Sequence, residues 1–255
     1  MAMDLLGLLR ALTLVARLLL AGALLTVVLR RANRLSPTSW RAWVAVTVVY
    51  TVLAADNAVL EVLAAAVRDL PAYARLRWVQ FFFYNATYLL HAVLSAALPA
   101  VLVAAAGAGR VRTIALLGAA AAVLVGAEGV AGGALETWDR LLRSTRVLSF
   151  LGLTAYLSFL GLLLLGWLSG LDRYLVWFIG VRTAFVVLVP IQEVFFEAVG
   201  QAEARQLWHL PQFLQFAVAA TQLGIVILLL RALRGGRGVP PMRLASPAAD
   251  AGLRP

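Results

Sequence analysis

Acidic, amide and imidazole side chains recur deep inside long apolar runs of this 255-residue chain, and their spacing limits the chemistry open to it. Gln80, Tyr84, Thr87, His91 and Ser95 follow at intervals of three or four residues, which places all five on one face of a helix. Upstream, Asp56, Asn57 and Glu61 crowd one run. Asn57 and Glu61 share a face, and Asp56 lies about 100° round from Asn57. Imidazole and carboxylate groups at such positions can hold a polar ligand, bind an ion or relay a proton.

A second group of polar residues lies downstream. Glu128 sits in a glycine-rich stretch (Gly126, Gly129, Gly132, Gly133) that permits close helix approach. The segment Val189-Pro-Ile-Gln-Glu-Val-Phe-Phe-Glu197 carries Gln192, Glu193 and Glu197 beside Pro190, whose ring frees the Val186 carbonyl. Gln215 and Gln222, seven apart, share another face. The expected pocket residues are Asp56, Asn57, Tyr84, His91, Glu128, Glu193 and Gln215. Arg10 and Arg17, also seven apart, are the expected counter-ions for Asp56, Glu128 or Glu193, and Arg182 needs a partner on another helix. The same residues could instead bind helix to helix by interhelical hydrogen bonds and ion pairs.

The elements that position them are helices in a membrane. The chain is 63% hydrophobic and 13% charged, with a mean hydropathy of +0.91. A soluble domain averages about 45–50% apolar and about 25% charged. Seven apolar runs, at about 5–29, 41–66, 78–106, 111–135, 147–169, 174–198 and 211–233, each reach the roughly 20 residues a span needs. The expected fold is therefore an all-α, polytopic bundle of seven transmembrane helices over residues 1–234, followed by a disordered cytoplasmic tail over 235–255. Met1-Ala-Met-Asp4 lacks the basic start of a signal peptide, so the first run reads as an uncleaved helix.

Arginine sets the expected orientation. Arg30, Arg31, Arg34, Arg41, Arg110, Arg112, Arg173, Arg231, Arg234, Arg237, Arg243 and Arg254 fall on one side. They outnumber Arg68, Arg75, Arg77, Arg140, Arg143, Arg146 and Arg205 on the other. The bias predicts an N-terminus outside and a C-terminus inside a cell membrane. The embedded polar groups then gather in the outer half, around a cavity floored near His91. Because most arginines flank apolar runs, the basic pI of about 11.2 points to the bilayer as partner and not to nucleic acid.

Several chemistries are excluded. The chain has no cysteine, and all 22 basic side chains are arginine, so thiolate metal sites, cysteine nucleophiles and lysine Schiff bases are absent. A metal site would have to join His91 to Asp56, Glu128 or Glu193 without a supporting ligand spacing. No metal and no cofactor are expected.

The segment Leu76-Arg-Trp-Val-Gln-Phe-Phe-Phe-Tyr-Asn-Ala-Thr-Tyr-Leu-Leu-His91, running on to Pro99, resembles a helix of the seven-helix sensor modules that open some prokaryotic histidine kinases. The topology is similar over residues 5–233. The resemblance implies a receptor-like or sensory bundle with an outward pocket for a small molecule or lipid. No output domain follows the bundle, so signalling would require a separate partner on the cytoplasmic side. Pro190-Ile-Gln-Glu193 also resembles the Pro-x-Glu-Glu motif of membrane carotenoid cyclases, but Gln192 replaces the first acid and no second copy is present. Two other readings stay open. One is a proton-linked permease using Asp56, His91 and Glu193 as relay groups, and the other is an intramembrane enzyme that modifies a lipid.

Overall fold

The computed structural model describes residues 5–68, 77–135, 138–199, 209–235 and 239–242. Over 31–32, 63–68, 77–88, 129–135, 138–146 and 189–199 it describes the backbone alone. Among the described residues there are seven long helices: α1 (Leu5–Arg31), α2 (Pro37–Arg68), α3 (Arg77–Ala106), α4 (Gly109–Leu135), α5 (Trp138–Leu164), α6 (Arg173–Val199) and α7 (His209–Arg234). Six of them (α1 to α5 and α7) contain a described segment long and apolar enough to cross a membrane. At 1.5 Å per residue the 27 residues of α1 extend about 40 Å, more than the roughly 30 Å of hydrocarbon. Helices suit this composition because in lipid every backbone polar group must be paired within its own segment. The chain is an all-helical bundle of an integral membrane protein.

The helices form a ring with one member outside it. Around the ring α1 packs on α2, α2 on α3, α3 on α5, α5 on α6, α6 on α7, and α7 on α1. α4 packs in the groove between α3 and α5. Its approach to α3 is set by Gly126, where a Cβ would collide with the Val93 side chain. Most of α4 is exposed, including Ile114, Leu117 and Leu124. Apolar surface of this kind is what lipid tails cover.

The two ends of the ring differ. At the end where α5 leads into α6, the core is dense. Trp43, Leu102, Phe159, Leu175, Phe178 and Leu229 are all fully buried there. Trp43 and Tyr50 meet Phe178 edge-on, at ring separations of 5.6 and 5.0 Å. α5 stops in a Schellman turn: Trp167 N–H donates to Leu162 O at 2.9 Å and Gly166 N–H to Leu163 O at 3.0 Å. Gly166 supplies the left-handed residue, with φ of 74°. Asp172 then caps α6 by accepting from Leu175 N–H at 3.0 Å, and its other oxygen accepts from the Trp43 indole at 2.8 Å. The Gly170 carbonyl accepts from Ser36 at 2.6 Å and Ser39 at 3.0 Å. Gly170 has φ of 78° and Thr38 already lies against the position of a Cβ. Residues 239–242 run back over this loop: Met242 N–H donates to Leu171 O at 2.8 Å, Pro241 bridges Asp172, and Val239 is buried.

Candidate functional site

The opposite end of the ring, where α1 and α7 begin and α2 ends, opens on a cavity of about 340 Å³. This lies at the lower end of the roughly 300–1,000 Å³ of small-molecule pockets. All six ring helices line it, and α4 does not. Arg10, Glu61 and Gln212 stand towards the mouth; Arg10 and Glu61 are exposed. Leu20, Leu98, Tyr156 and Gln222 are the deepest contributions of their helices, and they rest on the dense core. Leu98 is seven residues beyond His91 on α3, so the floor lies about 10 Å deeper than His91.

Polar groups enter the walls for a physical reason that begins in each helix. On α3, His91, Ser95 and Leu98 follow at helical spacing and face inward together. Pro99 lacks the N–H that would bond the Ser95 carbonyl, so the backbone beside Ser95 loses its usual donor. The Ser95 hydroxyl accepts from Arg182 Nη2 at 2.8 Å, and the Arg182 guanidinium also lies 5.1 Å from the Phe185 ring centre. From α1, Arg17 Nη2 donates to Gln215 Oε1 on α7 at 3.1 Å. Gln222 Nε2 donates to the Tyr50 hydroxyl at 2.7 Å. The Tyr156 hydroxyl is fully buried and close to Arg182, yet it has no hydrogen-bond partner of sound geometry.

The charge balance is unusual. Arg17 and Arg182, like charges, line the same cavity. Neither meets a carboxylate among the described residues, where the one ion-pair contact joins His91 Nε2 to Asp56 Oδ2 at 3.1 Å.

The expected pocket residues are distributed unevenly. Asn57, His91 and Gln215 line the cavity, as do Arg10, Arg17 and Arg182. Asn57 donates at 2.6 Å to Leu53 O in its own helix. Asp56 is not among the lining residues; it holds the His91 ring from α2. Glu128 is exposed on α4 and away from the cavity. It follows Gly126 by two residues, which turns it about 200° from the face that meets α3. The side chains of Tyr84 and Glu193 lie outside the described residues, as do those of Gln80, Thr87, Gln192 and Glu197. The counter-ion role expected of Arg10 and Arg17 has no carboxylate partner among the described residues, and Arg17 binds an amide.

Tyr50 and Tyr156 were not expected at the site. The available signal was depth: both tyrosines lie inside apolar runs and away from the interfacial belt where tyrosine is usual. Thr154, the more obvious polar residue of α5, is exposed and bonds back to its own helix at 3.0 Å. No group of three or more metal-ligating side chains converges among the described residues. No protein-family model matches the chain, and no curated protein or solved structure matches it significantly.

Proposed function

We propose that this integral membrane protein is a receptor-like bundle of seven spans, N-terminus out, that takes a small molecule or lipid into a cavity open to the outer side. The observation that carries this reading is the contrast between the two ends. One end holds a polar cavity, and the other holds a packed apolar core tied across by Asp172, Trp43 and Gly170. A permease needs a path that reaches both sides in turn, and a lipid-modifying metalloenzyme needs ligands gathered on one ion. A cavity with a packed floor suits binding. The seventh span would be α6, in which Arg182 is the one charged residue from Tyr174 to Gln192. Binding would be reported to a separate cytoplasmic partner through the helix ends at the packed side.

The absence of cysteine makes the test direct. Val218 lines the cavity on α7, between Gln215 and Gln222. In sealed vesicles of known orientation, Val218→Cys should react with a membrane-impermeant thiol reagent added outside and not with the same reagent trapped inside. Reaction from both sides would favour a permease. Failure to react from either side would remove the open cavity.

A further inference from the structure

We infer that the cavity holds an anionic group, a carboxylate or phosphate, between Arg17 and Arg182, with the Tyr156 hydroxyl as a further donor. This rests on the cavity reading above and names the chemistry of its ligand.

Two guanidiniums at membrane depth are costly, because lipid and packed protein solvate charge poorly. Nature usually offsets that cost with a carboxylate. Here the direct partners among the described residues are neutral: Gln215 for Arg17 at 3.1 Å and Ser95 for Arg182 at 2.8 Å. Each guanidinium carries five N–H donors, more than these described partners engage. The two cations also line the same cavity as like charges. An anion placed between them would offset both charges and engage the spare donors, in the forked geometry that suits arginine to carboxylate and phosphate.

Tyr156 is an independent indication. Its hydroxyl is fully buried, lies on the cavity wall beside Arg182, and among the described residues lacks a hydrogen-bond partner of sound geometry. A buried hydroxyl left unpaired is destabilising unless something else fills its valence. An oxyanion beside Arg182 would accept from it.

Arg10 extends the positive line outward. It precedes Arg17 by seven residues, so the two lie on one side of α1 about 10 Å apart along its axis. The guanidiniums therefore run from the mouth inward, a distribution that draws an anion in. Among the described residues the acidic one lining the cavity is Glu61, exposed towards the mouth, and Asp56 is engaged with His91. Among the described residues the deep lining is net positive.

Charge selectivity at Val218→Cys tests the sign of the cavity with the full chain and every arginine in place. After correction for their rates with a free thiol, an anionic methanethiosulfonate should react about tenfold or more faster than a cationic one. Arg17→Gln should reduce that preference severalfold, and Arg112→Gln, exposed at the far end, should not. Equal rates, or preference for the cationic reagent, would overturn the anion site while leaving an open pocket. Reaction with neither reagent would remove the pocket itself.

The source of the anion is read separately. In neutral detergent, mass spectrometry of the intact protein should show phosphatidylglycerol retained over phosphatidylcholine if a lipid headgroup is bound. Inorganic phosphate should slow the labelling of Val218→Cys if a soluble anion is bound. Either result should be lost in Arg182→Gln and weakened in Tyr156→Phe, each checked for monodisperse elution. Equal retention of the two lipids, with no protection by phosphate, would overturn the site.

Discussion

His91 on α3 and Asp56 on α2 stand 3.1 Å apart, imidazole Nε2 to carboxylate Oδ2, and only the histidine lines the cavity. With Asp56 ionised, its carboxylate can only accept, and the proton then sits on Nε2. Asp56 therefore bears on the cavity wall through the ring it contacts.

The contact should be measurable as a coupling. In a double-mutant cycle of Asp56→Ala and His91→Ala, thermal unfolding in detergent should give an interaction energy of about 1 kcal/mol, the scale found for polar pairs within membranes. Strict additivity would mean that the two side chains do not meet in the folded protein.

Asp172 unites a helix cap and an indole acceptor in one buried side chain. Asp172→Ala should cost about 2–4 kcal/mol, since it removes the cap and strands the Trp43 N–H. Asp172→Asn retains a capping oxygen and should cost less. Trp43→Phe removes the indole donor together with part of the buried ring and should fall between them. Unfolding in a graded denaturant ranks the three, and a silent Asp172→Ala would count against the packed end as the rigid part of the molecule.

Gly126 meets Val93 where α4 lies on α3. Gly126→Ala should destabilise by about 1–3 kcal/mol, as overpacking does. Adding Val93→Ala should recover part of the loss by making room. If the double variant is no better than the single, α4 does not approach α3 at this glycine.

Orientation has its own test. A fluorescent protein fused after Arg234 should fluoresce, and alkaline phosphatase fused there should be inactive, if the arginine-rich side is cytoplasmic. The opposite pair of results would reverse the bundle and turn the cavity towards the cytoplasm.

Much of the architecture was legible in the residues alone. Apolar runs of sufficient length mark helices in lipid whatever their neighbours, because backbone hydrogen bonding is satisfied within each segment. Helical periodicity likewise placed His91 with Ser95 and Gln215 with Gln222, and each pair lines the cavity. Both properties are local, and a single chain segment determines them.

Which helices are neighbours is not local, and there only the tertiary structure decided. Glu128 looked like the other embedded acids until α4 packed outside the ring and left it exposed. Arg17 was expected beside a carboxylate, and among the described residues it bonds Gln215, 198 residues away. Asp56 looked like a wall residue and proved to stand behind His91. Tyr156 and Arg182 reach one cavity from separate helices because side chains several ångströms long converge only once the ring has closed. Periodicity told which face of a helix is polar; the packing of six helices around one space told what that face meets.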